Sequence, residues 1–190
     1  IADIDADIVN FYRQIRRGRG PETRDLVGRF VNTEDNYLYI RDSLERGSDE
    51  LLQAFRFFYL RQTCFRGMYG HDREGHFNTC WAATNATTTT SMAIGGNRLA
   101  DPRYVSLLER TDLLQQSFED TFAENDSPNT FFFLDPPYEG KDHYGSGYGG
   151  REHRVLASMI DELRGTCLMV VDDSPLMREL HRGRIVGRYG

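Results

Sequence analysis

Residues 130–138 of this 190-residue chain read TFFFLDPPY, and this stretch decides the fold. After Thr130 the run is apolar up to Leu134, which is typical of a central parallel strand buried on both faces. Asp135 follows the strand directly. In open α/β sheets ligands bind outside the carboxyl ends of the strands, so a site is expected at this point of the chain.

Strands and helices alternate on both sides of this stretch. A glycine-rich segment at 139–150 precedes a helix whose apolar residues recur at helical spacing, and TCLMVV at 166–171 reads as a second buried strand. IADI at 1–4 reads as the end of a further strand, and a helix follows it. This alternation at both ends of the chain predicts a parallel α/β sheet.

The middle of the chain has a different character. Ser48 is predicted to cap a helix whose apolar face runs from Leu51 to Tyr59. Residues 64–97 are rich in Gly, Thr, Asn and His and have weak periodicity. This composition indicates an irregular or short-hairpin region, which would suit a recognition surface.

Composition limits the classes of function. The chain carries 23 Lys+Arg and 29 Asp+Glu, and its net charge of -6 opposes phosphate binding unless the arginines cluster, as they do at 13–29 and 56–73. Its three cysteines have no close pairing, which favours a reducing cytoplasm over a disulfide framework. No apolar run approaches the roughly 18–20 residues of a membrane helix, and no secretion signal is visible.

The four residues DPPY suit the methylation of an amino group on an aromatic ring. The carboxylate of Asp135 and the backbone carbonyl of Pro136 can each accept one N–H of such a group, which favours the tetrahedral nitrogen that attacks a methyl group. Pro136 and Pro137 fix φ and remove N–H donors, so the carbonyl is held in place. Tyr138 offers an aromatic face for a base flipped out of a duplex.

DPPY also has a simpler interpretation as a strand-ending turn, because Asp-Pro and Pro-Pro are common turn formers. The preceding strand and the following glycine-rich segment favour the functional interpretation. In that segment, Tyr144 and Tyr148 either cover the flipped base or are simply exposed.

Four blocks stand in a defined order along the chain: IADIDADIVNFY at 1–12, FFYLRQTCFRGMYGHDREGHFN at 57–78, SFEDTF at 117–122 and FFFLDPPY at 131–138. Together they resemble the Dam-type, or D12 class, DNA adenine-specific methyltransferases. The resemblance covers nearly the whole chain. It implies a Rossmann-like α/β sheet of the S-adenosylmethionine-dependent type, with a mostly helical inserted DNA-recognition domain.

The resemblance also implies how the chain is divided and what it does. Residues 1–17 and 111–190 would form a catalytic domain, incomplete at both ends, and residues 18–110 a target-recognition insertion. The implied reaction moves a methyl group from S-adenosylmethionine to the exocyclic amino group of a flipped adenine in double-stranded DNA. A cytoplasmic location in a prokaryotic or viral context would follow.

Residue roles carry over with the matching blocks. Asp3 would hold the ribose hydroxyls of the cofactor, Phe118 would pack on its adenine, and Asp135 would border it as well. The catalytic set implied by the family is the whole tetrapeptide. Contacts to DNA would come from the second block, through Phe65, Arg66, Gly67 and Asn78.

The chain departs from the family pattern in several places. The family's FxGxG turn should lie just before Ile1, so we expect a fragment of a longer protein. Arg61-Gln62 stands where the family has Asn-Arg, and residues 64–67 read CFRG where the family has GYNG. The resemblance therefore implies no particular target sequence.

Several alternatives stay open at this point. Amino methylation of cytosine or of RNA uses the same chemistry, although Asp135 favours adenine because cytosine-amino enzymes more often carry Ser there. A non-catalytic DNA-binding remnant is a second alternative. A metal site is not expected, because the spacing of Cys64, His71, His76 and Cys80 is not that of a structural zinc site. Oligomeric state and a restriction-linked, viral or housekeeping role are left open.

Overall fold

The computed structural model describes residues 1–44, 49–67, 70–72, 76–82, 96–139 and 148–187 of the chain. They belong to two compact units, Ile1–Gln116 and Ser117–Gly190. The predictions made for Tyr144, for most of the glycine-rich segment and for residues 83–95 lie outside the described residues.

The first unit is mainly helical. Its two short strands pair in parallel, with Ala2 opposite Leu114 and Asp3 opposite Gln115. A short 3-10 helix follows the fourth helix. In chain order the elements are β1 (Ala2–Asp3), α1 (Ala6–Arg16), α2 (Gly20–Arg29), α3 (Glu34–Ser43), α4 (Glu50–Thr63), the 3-10 helix (Phe65–Gly67), α5 (Pro102–Glu109) and β2 (Leu114–Gln115).

Side-chain caps explain where these helices begin. The carboxylate of Asp5 accepts the Asp7 amide at the start of α1, and the Thr33 hydroxyl accepts the Asn36 amide at the start of α3. The cap of α4 is Asp49, which accepts two first-turn amides, and so the prediction of Ser48 at this position was wrong by one residue. A carboxylate also suits the positive end of the helix dipole better than a hydroxyl does.

The core of the first unit is built around α4. Phe55, Tyr59 and Leu60 on this helix are almost completely buried, and Tyr37 and Ile40 of α3 are fully buried in the same cluster. Both tyrosine hydroxyls donate to backbone carbonyls, so their burial leaves no unpaired donor. The apolar face predicted for α4 is thus confirmed as the centre of a core.

The second unit is a strand–helix–strand arrangement with two further helices. Strands β3 (Phe131–Leu134) and β4 (Thr166–Met169) pair in parallel along their whole length. Helix α6 (Phe118–Asn125) precedes β3, α7 (Gly150–Glu162) connects β3 to β4, and α8 (Pro175–Leu180) follows β4. Phe122, Phe132 and Leu156 form the buried centre of this unit.

The prediction that β3 is buried on both faces was wrong. Phe132 is 8% exposed, whereas Phe131 and Phe133 are 62% and 63% exposed. Successive side chains of a strand point to opposite faces, and within this unit the apolar residues of α6 and α7 pack on one face only. Strand β4 is likewise partly exposed rather than buried.

The described strands form two separate parallel pairs, β1 with β2 and β3 with β4. The prediction of parallel pairing is therefore confirmed. A single Rossmann-like sheet is not formed by the described residues, because neither β3 nor β4 pairs with β1 or β2.

The compact units divide the chain after residue 116, whereas the predicted domains meet near residues 17 and 110. Strands β1 and β2 belong to the first unit because α1 packs against both of them. The division into a catalytic domain and a recognition insertion concerns function and stays a prediction. No helix in the described part of the chain is long and apolar enough to cross a bilayer.

Two glycines of α2 test the packing of the first unit. A methyl group on Gly20 would lie 1.7 Å from the Leu99 carbonyl oxygen, whereas nothing lies within 4 Å of the equivalent position on Gly28. We expect Gly20→Ala to lower the free energy of unfolding by about 1–3 kcal/mol through overpacking against backbone. Gly28→Ala is the matched control and should raise it by up to about 1 kcal/mol through helix propensity.

Urea denaturation followed by circular dichroism measures both variants. Equal changes in the free energy of unfolding would contradict the close approach of α2 to Leu99.

Candidate active site

The candidate site lies where β3 ends. Leu134 is the last residue of the strand, and the chain continues through Asp135, which is exposed. Pro136 and Pro137 are half-buried, and Tyr138 is 37% exposed. The tetrapeptide therefore presents one carboxylate and one aromatic ring to solvent at the carboxyl end of a parallel strand, where ligands of α/β sheets bind.

One side chain holds this loop and a second lies close to it. The carboxylate of Asp172, just beyond β4, accepts the Glu139 amide at 3.3 Å. The imidazole of His153 on α7 lies close to the backbone of Pro137. Because the prolines have no N–H of their own, the loop depends on contacts from outside, such as that of Asp172.

Aromatic contacts connect Phe118 to the same loop. The ring centroids of Phe118 and Tyr148 are 6.0 Å apart, and those of Tyr148 and His153 are 4.9 Å apart at 89°. His153 in turn lies close to Pro137. The structure thus places Phe118 and the tetrapeptide in one continuous cluster within the second unit. Tyr148 packs into this cluster, so it is not simply an exposed residue of the glycine-rich segment.

Electrostatics keep this cluster uncharged. Burial raises the pKa of Tyr148 far above its ordinary value, and the charges of Glu119 and Glu152 act in the same direction. Burial lowers the pKa of His153, and the Pro137 backbone and the nearby acids only partly oppose this effect. Burial also lowers the pKa of His181, and the charge of His153 adds to it.

Asp3 lies in the first unit, at the carboxyl end of β1. Its carboxylate is partly buried and accepts the Asp5 amide at 2.8 Å. Burial raises the pKa of Asp3, and the charge of Asp5 adds to this, while hydrogen bonds from the Asp5 and Ile4 backbone lower it. Asp3 is therefore placed at a strand end, as the sequence predicted.

The residues predicted to contact DNA follow α4 in the first unit. Phe65, Arg66 and Gly67 form the 3-10 helix, and Phe65 is 46% exposed. Asn78 is exposed and lies in a segment that forms isolated antiparallel bridges, Cys64 with Trp81 and His71 with Phe77. These bridges agree with the predicted short-hairpin region.

Sequence reasoning missed two residues of the site, His153 and Asp172. His153 lies on the face of α7 that also carries the buried Leu156 and Ala157, so helical periodicity alone assigns it to the core. Asp172 could have been found from its position, because it follows the strand that pairs with β3. Among the described residues, no three His, Cys, Asp or Glu side chains are grouped as a metal site.

Comparison with protein families decides the chemistry to which this site belongs. A family model described as D12 class N6 adenine-specific DNA methyltransferase matches residues 1–186. The chain belongs to this family. The family resemblance predicted from the four sequence blocks is therefore confirmed, and so is DNA adenine methylation as the function of the chain.

Individual D12-like relatives agree with this assignment. The chain is 29% identical to the Type II methyltransferase M.CviBI of Paramecium bursaria Chlorella virus NC1A, over 100% of this chain and 70% of the relative. It is 26% identical to the DNA N-6-adenine-methyltransferase of Escherichia phage P1, over 94% of this chain and 24% of the relative. It is 22% identical to the DNA adenine methylase of Vibrio cholerae serotype O1, over 96% and 68%.

The two buried histidines of this D12-class chain predict an acid-sensitive second unit. Their pKa values are lowered in the folded state, so below about 6.5 the unfolded chain binds protons that the folded chain does not. Stability from His153 and His181 should be complete above that pH and should fall as the pH drops. The double variant His153→Asn, His181→Asn should flatten this dependence.

Free energies of unfolding measured between pH 5.5 and 7.5 would test this. Few carboxylates titrate in this range, since their ordinary pKa values are about 4. The exposed His76→Asn variant of the first unit is the control. If the free energy of unfolding falls equally steeply as the pH drops in the double variant and in the control, the assignment of this dependence to His153 and His181 is contradicted.

Proposed function

We propose that this chain transfers the methyl group of S-adenosylmethionine to the exocyclic amino group of an adenine flipped out of double-stranded DNA. The observation that carries the proposal is the position of Asp135-Pro136-Pro137-Tyr138. This loop lies at the carboxyl end of β3, with its carboxylate exposed and the following Glu139 amide held by the carboxylate of Asp172.

Each residue of the loop has a task in this reaction. The amino group of adenine is a weak nucleophile because its lone pair is delocalised into the ring. The Asp135 carboxylate and the Pro136 carbonyl each accept one of its N–H bonds and so favour the pyramidal nitrogen. Pro137 restricts the backbone beside that carbonyl, and the exposed ring of Tyr138 stacks on the flipped base.

The cofactor would be held by Asp3, Phe118 and Asp135. When bound, S-adenosylmethionine supplies a methyl group that is already activated by its sulfonium. Asp3 fits a pair of vicinal hydroxyls because it is a partly buried carboxylate with no cationic partner among the described residues. Phe118 fits the adenine because it offers a partly buried aromatic ring in contact with the cluster behind the loop.

Contacts to DNA are proposed for the first unit, through Phe65, Arg66, Gly67 and Asn78. The sequence of this unit has 15 Lys+Arg and 16 Asp+Glu, a net charge of -1, whereas the second unit has 8 and 13, a net charge of -5. Phosphate binding therefore meets less electrostatic repulsion at the first unit. Because arginine supplies the positive charge of this unit, guanidinium groups would pair with phosphates or guanine edges.

The proposal includes a division of labour along the chain. Residues 1–17 and 111–190 would belong to a Rossmann-like catalytic sheet, and residues 18–110 would recognise the target. Two features support the sheet: both strand pairs are parallel, and one face of β3 carries exposed phenylalanines that a larger sheet and its helices would cover. The reaction would take place in the cytoplasm of a prokaryotic or virus-infected cell.

The direct test is transfer of labelled methyl from S-adenosylmethionine to unmethylated duplex DNA, followed by digestion to nucleosides. Label in methyladenosine is the expected result. Label in methylcytidine would assign the reaction to the other amino base, and preferential labelling of single strands or of RNA would assign a different substrate. Absence of label in all nucleosides would contradict catalysis by this chain.

Asp135→Ala should reduce methyl transfer by about 10²–10³-fold or more, because one of the two acceptors that shape the amino nitrogen is lost. The control is Glu162→Gln, an exposed carboxylate on α7, which should keep the wild-type rate. Single-turnover rates with saturating cofactor and DNA make the comparison. Turnover retained in Asp135→Ala would overturn the role of this carboxylate.

Asp3→Asn should weaken the binding of S-adenosylmethionine by about 10- to 100-fold, because a charge-assisted hydrogen bond to the ribose contributes ~1.5–3 kcal/mol. The asparagine still offers an oxygen to the Asp5 amide, so the turn before α1 is kept. Asp25→Asn on α2 is the control, since Asp25 pairs with Arg24 at the surface. Titration calorimetry measures the affinity, and equal affinities of all three proteins would exclude Asp3 from the cofactor site.

A further inference from the structure

Tyr37 on α3 is completely buried, although packing alone does not require its hydroxyl. The side chain lies in the apolar cluster around α4, where a phenylalanine would fill the same place without burying a polar group. The hydroxyl donates to the backbone carbonyl of Thr79 at 2.6 Å, in a bond that is itself buried. This bond connects the core of the first unit to the segment that carries Asn78.

Burial alternates along the 76–80 segment. Phe77 and Thr79 are buried, whereas Asn78 between them is exposed. Successive side chains of an extended chain point to opposite sides. The ring of Phe77 also contacts that of Tyr37, with centroids 6.4 Å apart at 62°. One side of the segment therefore packs on Tyr37, and the other side presents Asn78 to solvent.

Thr79 connects α3 to both chains of the short-hairpin region, residues 70–72 and 76–82. Its carbonyl accepts the Tyr37 hydroxyl, and its own hydroxyl accepts the Gly70 amide at 3.0 Å in a second buried bond. The Gly70 carbonyl accepts the Asn78 amide at 3.0 Å. Asn78 is thus held at its own amide and again at the next residue along the chain.

The short-hairpin region needs support from outside. Its described residues form isolated bridges rather than a continuous ladder. A two-stranded hairpin is at best marginally stable in water unless it packs against another element. Helix α3 is such an element, because Thr33 caps its start and its residues Tyr37 and Ile40 are fully buried in the core.

We propose that Tyr37 is a positioning residue for DNA recognition, which holds the 76–80 segment through the Thr79 carbonyl so that the Asn78 side chain keeps its direction towards DNA. This inference rests on the proposed DNA contact of Asn78. Tyr37 does not touch DNA itself, because it is completely buried.

Two buried tyrosines of the same core offer a matched pair of variants. Tyr37→Phe removes the hydroxyl that reaches Thr79 and keeps the ring. Tyr59→Phe is the control, because its hydroxyl also donates to a backbone carbonyl, that of Val31 at 3.1 Å, which lies outside the short-hairpin region. Each variant leaves one carbonyl without its donor, so both should lower the melting temperature to a similar extent.

Asn78→Ala, alone and combined with Tyr37→Phe, tests whether the anchor acts through Asn78. An alanine keeps the backbone amide that donates to Gly70 and removes only the side chain that is proposed to contact DNA. If both changes act on one contact, their effects are not additive.

Two readouts are used on the full chain. The first is methyl transfer to unmethylated duplex DNA, analysed as kcat and as separate KM values for DNA and for S-adenosylmethionine. The second is hydrogen exchange of the Gly70 and Asn78 amides, measured by NMR without cofactor or DNA. The exchange rates report on the short-hairpin region whether or not the chain is active.

We expect Tyr37→Phe to raise the KM for DNA by about 5- to 10-fold, with kcat and the KM for S-adenosylmethionine little changed, because a buried hydrogen bond that orients a DNA contact is lost. Gly70 and Asn78 should exchange faster in this variant. Tyr59→Phe should keep the wild-type KM for DNA and the wild-type exchange. In the Asn78→Ala background, Tyr37→Phe should raise the KM for DNA much less than it does alone.

A wild-type KM for DNA in Tyr37→Phe would overturn the proposal. So would an equal rise in Tyr59→Phe, which would reduce the role of Tyr37 to core stability, or additive effects of Tyr37→Phe and Asn78→Ala. If the wild-type chain methylates no adenine, the proposed function fails, and the anchoring is then judged on the exchange of Gly70 and Asn78 alone. Unchanged exchange of both amides in Tyr37→Phe would refute the anchoring in either case.

Discussion

The parallel pairing of β3 with β4 is the constraint on which the candidate site depends. It brings the carboxyl ends of two strands to one edge, so that Asp172 reaches the Glu139 amide of the neighbouring loop. The entry to β4 is tightly fixed, because the carboxylate of Asp126 accepts the amides of Arg164 and Gly165. The crossover between the two strands is α7, and the same helix carries the buried His153. One strand pair and its connection thus position Asp172 and His153 near the loop.

Both units bury polar side chains, and both contain a buried polar atom without a partner. In the first, Tyr37 and Tyr59 are buried around α4, and each donates its hydroxyl to a backbone carbonyl. Neither hydroxyl is therefore left unpaired. On the same helix, Nε of the buried Arg56 has no hydrogen-bond partner among the described residues. In the second, His153 is buried with Nε2 unpartnered, and His181 is buried near it. A buried polar atom without a partner lowers the stability of either unit.

Parts of this structure could be predicted from the sequence, and the reasons for success and failure are physical. The apolar run up to Leu134 and the prolines after Asp135 located the strand and the loop. Both features determine the backbone conformation of the residues in which they occur. The exposure of Phe131 could not be predicted, because burial depends on which elements cover a face, and a sequence pattern does not report this. His153 escaped notice for a related reason: its spacing on α7 is that of a core residue, and only the fold brings it to Pro137.

The alternation of side chains along β3 continues into the loop. Phe131 and Phe133 are on the open face of the strand, and Asp135, two residues further, is exposed as well. Pro136 has the parity of the buried Phe132 and is half-buried. Any surface that covers the two rings therefore also removes water from around the carboxylate and lowers the local dielectric constant, which strengthens its hydrogen bonds. A surface that covers the apolar face of β3 consequently strengthens the electrostatic interactions of the Asp135 carboxylate at the same time.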